Sequence, residues 1–310
     1  MSSADIVDRL DPALRHLAES RTDLSADGLS AYRDSLNQRR RDEADALDIA
    51  GVAVEDTNVG SIPVRVYRGG PSPAPAVIYC HSGAFVLGNL DVDHRQCVEL
   101  ARRGRCTVIS ADYRLAPEHP FPAAIEDAVA VLAWAVDKAS ELDIDVDRLA
   151  VAGSSAGGAL AARLAQRAAA GHSPRIAFQL LHQPVLDDRP TPSAAEFESA
   201  PGFDAAAVTL MWRHYLAGRP ACAESAPGRA TELAGVPAAL ITCSELDPLR
   251  DEAVDYAARL TQAGVATELH VFEGTCHGFD AFLPEWGTSR RLYALQGAAL
   301  RRALHDRKSG

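Results

Sequence analysis

Three short stretches of the chain hold residue types that together can break an ester or amide bond. Residues 148–170, RLAVAGSSAGGALAARLAQRAAA, read as an apolar strand, a turn of small residues and an Ala/Leu/Arg helix, with Ser155 at the turn. A hydroxyl at the apex of a strained strand-to-helix turn stands clear of its own backbone, and Gly153 and Gly157 let such a turn close. The pattern G-x-S-x-G is weak evidence by itself. With 22 glycines in 310 residues, it arises about once in ten chains of this composition. A loop serine that caps the next helix is the competing use of the same residue.

A serine hydroxyl is a poor nucleophile at neutral pH, so it needs a base, an acid that orients the base, and donors for the oxyanion. In chains built on this turn the acid follows the serine and the histidine comes last. Ala238-Ala239-Leu240-Ile241-Thr242-Cys243 reads as a buried strand, and Asp247 follows its carboxyl end. An Asp before Pro248 also suits a helix N-cap with proline at the first helical position. Glu245 and Asp251 are nearby alternatives. A helical pattern over residues 249–261 and an alternating strand over 267–272 lead to the loop Glu273-Gly274-Thr275-Cys276-His277-Gly278-Phe279. His277 and Asp247 therefore fall at one carboxyl edge of a parallel sheet, where open α/β sheets bind ligands. Of the other histidines, His270 lies mid-strand, His119 beside prolines and His214 on a helical stretch.

The oxyanion donors should come from an earlier strand end. Residues 76–80 read as a strand leading into His81-Ser82-Gly83-Ala84-Phe85, a loop of small residues that is otherwise an ordinary βα turn. The amides of Gly83 and Ala84, with that of Ala156 after the serine, would surround a developing oxyanion. Turnover by such a set is expected to rise between mildly acidic and neutral pH, as the histidine loses its proton.

These elements resemble the hormone-sensitive-lipase-like (bacterial family IV) carboxylesterases of the α/β-hydrolase superfamily. The most specific match is the stretch DYRLAPEHPFPAAIED at residues 112–127, and the match runs from about Ile62 to the final helix. The resemblance implies an α/β-hydrolase fold: a mostly parallel eight-stranded sheet with helices on both faces and a helical cap. It implies a triad of Ser155, Asp247 and His277, and oxyanion donors at Gly83, Ala84 and Ala156. It gives residues 112–127 a mainly structural role. Two departures stand out. The family's H-G-G-G loop is His81-Ser82-Gly83-Ala84 here, and its G-D-S-A-G turn is Gly153-Ser154-Ser155-Ala156-Gly157. No catalytic atom is lost, because the donors are backbone amides; what changes is the shape of the loops.

The chain is expected to form a single α/β domain. Residues 1–50 are polar and helix-patterned before the first strand signal at Ile62, and a second non-sheet stretch covers about 187–232. Both are assigned to the cap, which shapes substrate choice while the triad does not. Phe85, Leu87, Phe203, Trp212, Tyr215 and Phe279 are candidates for the pocket wall, although for any single one of them core packing is the better reading. The run Gly69-Gly70-Pro71-Ser72-Pro73-Ala74-Pro75 reads as a hairpin-like connection, and residues 307–310 as a frayed end.

A net charge of −11 argues against nucleic acid or an anionic membrane as partner, since both need Lys and Arg to neutralise phosphate. Arg39-Arg40-Arg41 is followed by Asp42-Glu43 and reads as a solvated helix end. The six cysteines form no C-x-x-C, so a paired metal knuckle is unsupported, and the expected reaction calls for no metal and no cofactor. Reduced core thiols and the charged amino-terminus make the cytoplasm the default location, with no integral membrane association. Cys276, beside His277, is singled out for sensitivity to thiol reagents. The expected substrate is a small ester of short to medium acyl chain. An amidase or deacylase using the same triad is the alternative, and a non-catalytic small-molecule receptor is a third reading. The resemblance adds a possible homodimer through the edge strand at residues 267–272.

Overall fold

The computed structural model describes residues 3–306; the tail at 307–310, read above as frayed, lies outside the described residues. Strands β1 (Ala53–Val59), β2 (Ile62–Arg68), β3 (Ala74–Cys80), β4 (Thr107–Ala111), β5 (Ile144–Ser154), β6 (Phe178–His182), β7 (Ala238–Leu246) and β8 (Thr267–Cys276) form one sheet. Their order is β1-β2-β4-β3-β5-β6-β7-β8. β1 and β2 run antiparallel to their neighbours, and the pairs from β4 through β8 are parallel.

Strands β3, β4 and β6 are buried at every position, which is why they read as continuous apolar runs rather than as alternation. Alternate residues still serve different layers. Val77, Tyr79, Val108, Ala150 and Ala152 pack against α3 (His94–Gly104) and α11 (Gly287–Leu304) on one face. Ile78, Cys80, Ile109 and Val151 pack on the other face, where α4 (Ala123–Asp137), α6 (Ala156–Ala169) and α9 (Arg250–Gln262) lie.

Two expectations need correction. The sheet begins at β1, not at Ile62: its sequence AVEDTNV is polar and largely exposed on the sheet's edge, so it carries no apolar signal. Residues 69–75 do not close a hairpin either, because β4 inserts between β2 and β3.

The segments outside the sheet are α1 (Ser3–Arg9), the 3₁₀ turn at Pro12–Leu17 and α2 (Leu29–Asp45) at the amino end. Further along come α5 (Ala139–Leu142), α7 (Pro192–Glu196), α8 (Ala205–Leu216), a 3₁₀ turn at Pro227–Arg229 and α10 (Phe279–Phe282). The amino-terminal segment divides in two. Ile6, Leu10 and Leu14 pack with Leu246 and Phe272 at the β7–β8 side of the sheet. Helix α2 lies instead by the loop after β3, where the Arg33 guanidinium donates to the carbonyls of Val86 (2.9 Å) and Ala116 (3.2 Å). The two non-sheet segments also meet each other: Gly202 N–H donates to Ser20 O at 2.9 Å, and the Thr22 hydroxyl to Gly202 O at 2.6 Å.

Candidate active site

Strand β5 ends at Ser154 and α6 begins at Ala156, so Ser155 alone makes the turn, at φ 54° and ψ −119°. The two flanking glycines are obligatory. A Cβ on Gly153 would lie 2.1 Å from the Gly157 carbonyl oxygen, and one on Gly157 would lie 1.9 Å from that of Cys80. A non-glycine residue at such a φ costs about 1–3 kcal/mol. Two bonds hold it there: Ser155 N–H donates to His182 O at 2.8 Å, and Val185 N–H donates to Ser155 O at 3.0 Å. The Ser155 side chain does not cap α6. Its Oγ lies 3.0 Å from Nε2 of His277 instead, so the hydroxyl is not spent on the capping use the sequence left open.

Asp247 follows β7 directly and is fully buried. Its Oδ2 is 2.7 Å from His277 Nδ1, and its Oδ1 accepts the Leu249 N–H at 2.9 Å. Helix α9 starts only at Arg250, with Leu249 at the cap, so Asp247 closes a turn ahead of the helix and is not its N-cap. The alternatives are engaged elsewhere. Glu245 accepts from Arg9 and from Gly274 N–H, and Asp251 from Arg250 and Ser193 N–H. A carboxylate can only accept, so the proton between Asp247 and His277 sits on Nδ1. That leaves Nε2 as the acceptor for the Ser155 hydroxyl.

The loop after β3 turns sharply, with positive φ at Gly83 (127°), Ala84 (56°) and Phe85 (60°). Among the described residues, the N–H groups of Gly83, Ala84 and Ala156 donate to no protein acceptor. Gly83 and Ala84 line the cavity above Ser155, and Ala156 is buried at the first position of α6. The serine that departs from the family pattern anchors this loop. Asp93 accepts from Ser82 N–H, Ser82 Oγ and Tyr79 Oη, each at 2.8 Å. From the 112–127 stretch, Tyr113 stacks on His81 at 4.2 Å and donates its hydroxyl to the His81 carbonyl at 2.7 Å. Ala116 N–H donates to Phe85 O at 2.9 Å, and Arg114 is fixed by a forked pair to Asp127. The stretch thus braces the loop after β3.

The cavity holds about 130 Å³. Of the predicted wall residues, Phe203 and Leu87 line it, and the Phe203 ring lies 5.0 Å from that of His277. Phe85, Trp212, Tyr215 and Phe279 are corrected to core positions. Phe85 is turned inward and stacks on Tyr215 at 3.8 Å, Trp212 packs near both, and Phe279 sits between Phe272 and Trp286. Tyr32 and Leu36 of α2 line the cavity, and so do Arg39 and Arg40, read above as a solvated helix end. Gln183 and Asp280 line it too and were missed. The available signal was His182-Gln183 interrupting an apolar run at the end of a strand. Cys276 is fully buried, with its thiol pushed up to about 12 by burial, so the expected thiol sensitivity is corrected as well. Among the described residues no group of three or more His, Cys, Asp or Glu is placed to hold a metal ion, and no helix is long and apolar enough to cross a membrane.

A mostly parallel sheet with a serine on a strand-to-helix turn, bonded through histidine to a buried aspartate, defines the class of α/β-folded serine hydrolases. The model of the α/β-hydrolase fold family matches residues 77–281, and the chain belongs to that family. It is 41% identical to the esterase LipI of Mycobacterium tuberculosis over 82% of each chain. It is 37% identical to the carboxylesterase NlhH of the same species over 96% of this chain and 97% of that protein. The crystal structure of the esterase LipW from Mycobacterium marinum superposes with a TM-score of 0.95 at 60% identity, covering 96% of this chain and 97% of that one.

Proposed function

We propose that the chain is a carboxylesterase that hydrolyses esters of short to medium acyl chain, with Ser155 as nucleophile, His277 as general base and acid, and Asp247 as its orienting partner. The observation that carries the reading is the bonded chain Ser155–His277–Asp247, facing a cavity bordered by the free amides of Gly83 and Ala84. Ser155 Oγ attacks the ester carbonyl carbon while its proton passes to His277 Nε2. The carbonyl oxygen, now anionic, accepts from the amides of Gly83, Ala84 and Ala156. Loss of one such donor lowers turnover by about 10²–10³. As the tetrahedral intermediate collapses, the alcohol leaves with the proton from Nε2. Water then gives its proton to His277 and attacks the acyl carbon, and the carboxylic acid departs as Ser155 regains its hydrogen.

The small cavity supports a short to medium acyl chain. Ligand cavities commonly hold about 300–1,000 Å³, and this one holds about 130 Å³. The α2 part of residues 1–50, with residues 187–232, acts as the cap that sets this size, with Tyr32, Leu36 and Phe203 as its inner wall. A p-nitrophenyl ester series from acetate to palmitate tests the reading. Activity is expected to fall steeply beyond about eight carbons; flat or rising activity would assign the chain to long-chain lipids instead. The proposal includes a cytoplasmic location, supported by six free cysteines. It also includes a homodimer through the open edge of β8, supported by the exposed Leu269 and Val271. Sedimentation of wild type beside Val271→Lys tests the dimer, which the lysine should dissociate.

A further inference from the structure

We propose that Gln183 is a positioning residue that holds His277 in line with Ser155 through the peptide groups that flank the histidine. The proposal rests on the reading of Ser155 and His277 as the reacting pair.

Gln183 is the first residue past β6, at φ 45°, and is 1% exposed although it borders the reaction cavity. Its backbone N–H donates to Thr242 O at 2.6 Å. Its side-chain oxygen accepts the Gly278 N–H at 2.8 Å and the Ser244 hydroxyl at 3.1 Å. The same hydroxyl oxygen lies 2.9 Å from the carbonyl of Cys276. The peptide groups on both sides of His277 therefore face one pair of buried side chains, the single Ser244 hydrogen serving either the Gln183 oxygen or the Cys276 carbonyl. The preceding residue attends to the other reactant, because the His182 carbonyl accepts the Ser155 N–H. Two consecutive residues thus set nucleophile and base relative to each other.

The orientation of the amide follows from donor counting. The Gly278 N–H can only donate, so the Gln183 atom facing it is the carbonyl oxygen. The NH₂ group then faces His182 Nε2, at 2.5 Å. His182 Nδ1 lies 2.8 Å from Thr242 Oγ1, and its Nε2 lies 3.1 Å from Asp280 Oδ1, so Nε2 either accepts from the Gln183 amide or donates to Asp280. A flipped amide would set donor against donor at Gly278. A side chain present only to fill space would need none of these partners, and hydrocarbon of the same volume would serve as well.

The test is kcat and KM for p-nitrophenyl butyrate, with thermal melting, for wild type, Gln183→Leu and Gln183→Glu. Leucine keeps the volume and removes the acceptor; glutamate returns an oxygen to Gly278 and Ser244. Small misplacement of a reacting group costs up to about 10²-fold. Gln183→Leu is accordingly expected to lose about 10- to 100-fold in kcat with KM changed by less than about threefold, and Gln183→Glu to recover most of that loss. A folded Gln183→Leu with kcat within about threefold of wild type, or a Gln183→Glu no better than the leucine variant, would overturn the proposal. If the leucine variant does not fold, Ser244→Ala decides. It removes the hydroxyl between Gln183 Oε1 and the Cys276 carbonyl and leaves the Gly278 bond, so a smaller loss of kcat, about threefold or more, is expected, and an unchanged kcat overturns the idea. Full activity of Ser155→Ala would instead remove the parent reading, whatever the Gln183 variants do.

Discussion

On the sheet side of the cavity, Ser155, Asp247 and His277 each stand one residue past a strand end, after Ser154, Leu246 and Cys276. Gln183 and His81 do the same after β6 and β3. On the facing side, Tyr32 and Leu36 come from a helix near the amino-terminus and Phe203 from a loop about 170 residues later. The first wall is positioned by backbone ladders inside a buried sheet. The second is positioned by side chains and a few loop bonds, such as those of Thr22 and Ser20 with Gly202. The proposed chemistry thus sits on the wall held by the buried sheet, and the proposed choice of substrate on the wall most easily altered by substitution.

The contrast predicts effects of very different size. On the sheet side, Asp247→Asn should leave the fold intact and lower kcat by about 10⁴, because the amide no longer holds His277 in the required tautomer. A fall of less than about tenfold would mean that another carboxylate orients the histidine. On the cap side, Phe203→Ala should change kcat for short esters by less than about tenfold and raise activity toward longer acyl chains, since it removes a wall and not a reactant. An unchanged chain-length profile would take Phe203 out of the substrate pocket.

Thiol labelling separates the walls in another way. Cys222 is exposed, whereas Cys80, Cys97, Cys106, Cys243 and Cys276 are buried, and burial pushes Cys276 up to about 12. Iodoacetamide at neutral pH should therefore modify Cys222 and leave activity intact. Labelling of Cys276, read by peptide mass, would show that the sheet side opens.

The smallest effect concerns α1. Arg9 lies between Glu196 and Glu245. Hydrogen bonding to Arg9 holds Glu196 below its ordinary 4.5. Glu245 is lowered too: burial works against the shift and is outweighed by the Gly274 N–H and Arg9. Lowered carboxyl values add stability above about 4.5 that is lost as pH falls further. Hydrogen exchange over residues 6–17 should accelerate below that pH while the amides of β5 stay protected. Uniform protection at acid pH would dissociate α1 from these ion pairs.

Most of the sheet side was legible in the sequence. The serine turn, the acid, the histidine and the oxyanion loop lie within short windows whose order and strand-end placement leave a local signature. The capping roles that competed for Ser155 and Asp247 are local as well, and neither side chain caps the helix that follows it. The cap side was not legible in the same way. Phe85, Trp212 and Tyr215 satisfy one another as a stacked cluster, so aromatic character pointed equally to core and to pocket. Arg39 and Arg40 read as solvated because the direction in which α2 presents them depends on contacts far along the chain. Strand β1 was missed because a polar edge strand buries almost nothing. Gln183 was missed because its partners Gly278, Ser244 and His182 belong to three different strand ends.

The account rests most directly on Ser155. Initial rates of p-nitrophenyl butyrate hydrolysis should be measured for wild type and Ser155→Ala at equal folded concentration, with melting curves as the control. The loss predicted is at least about 10⁴-fold with the fold unchanged. A folded Ser155→Ala that keeps more than about a tenth of wild-type activity would contradict the account.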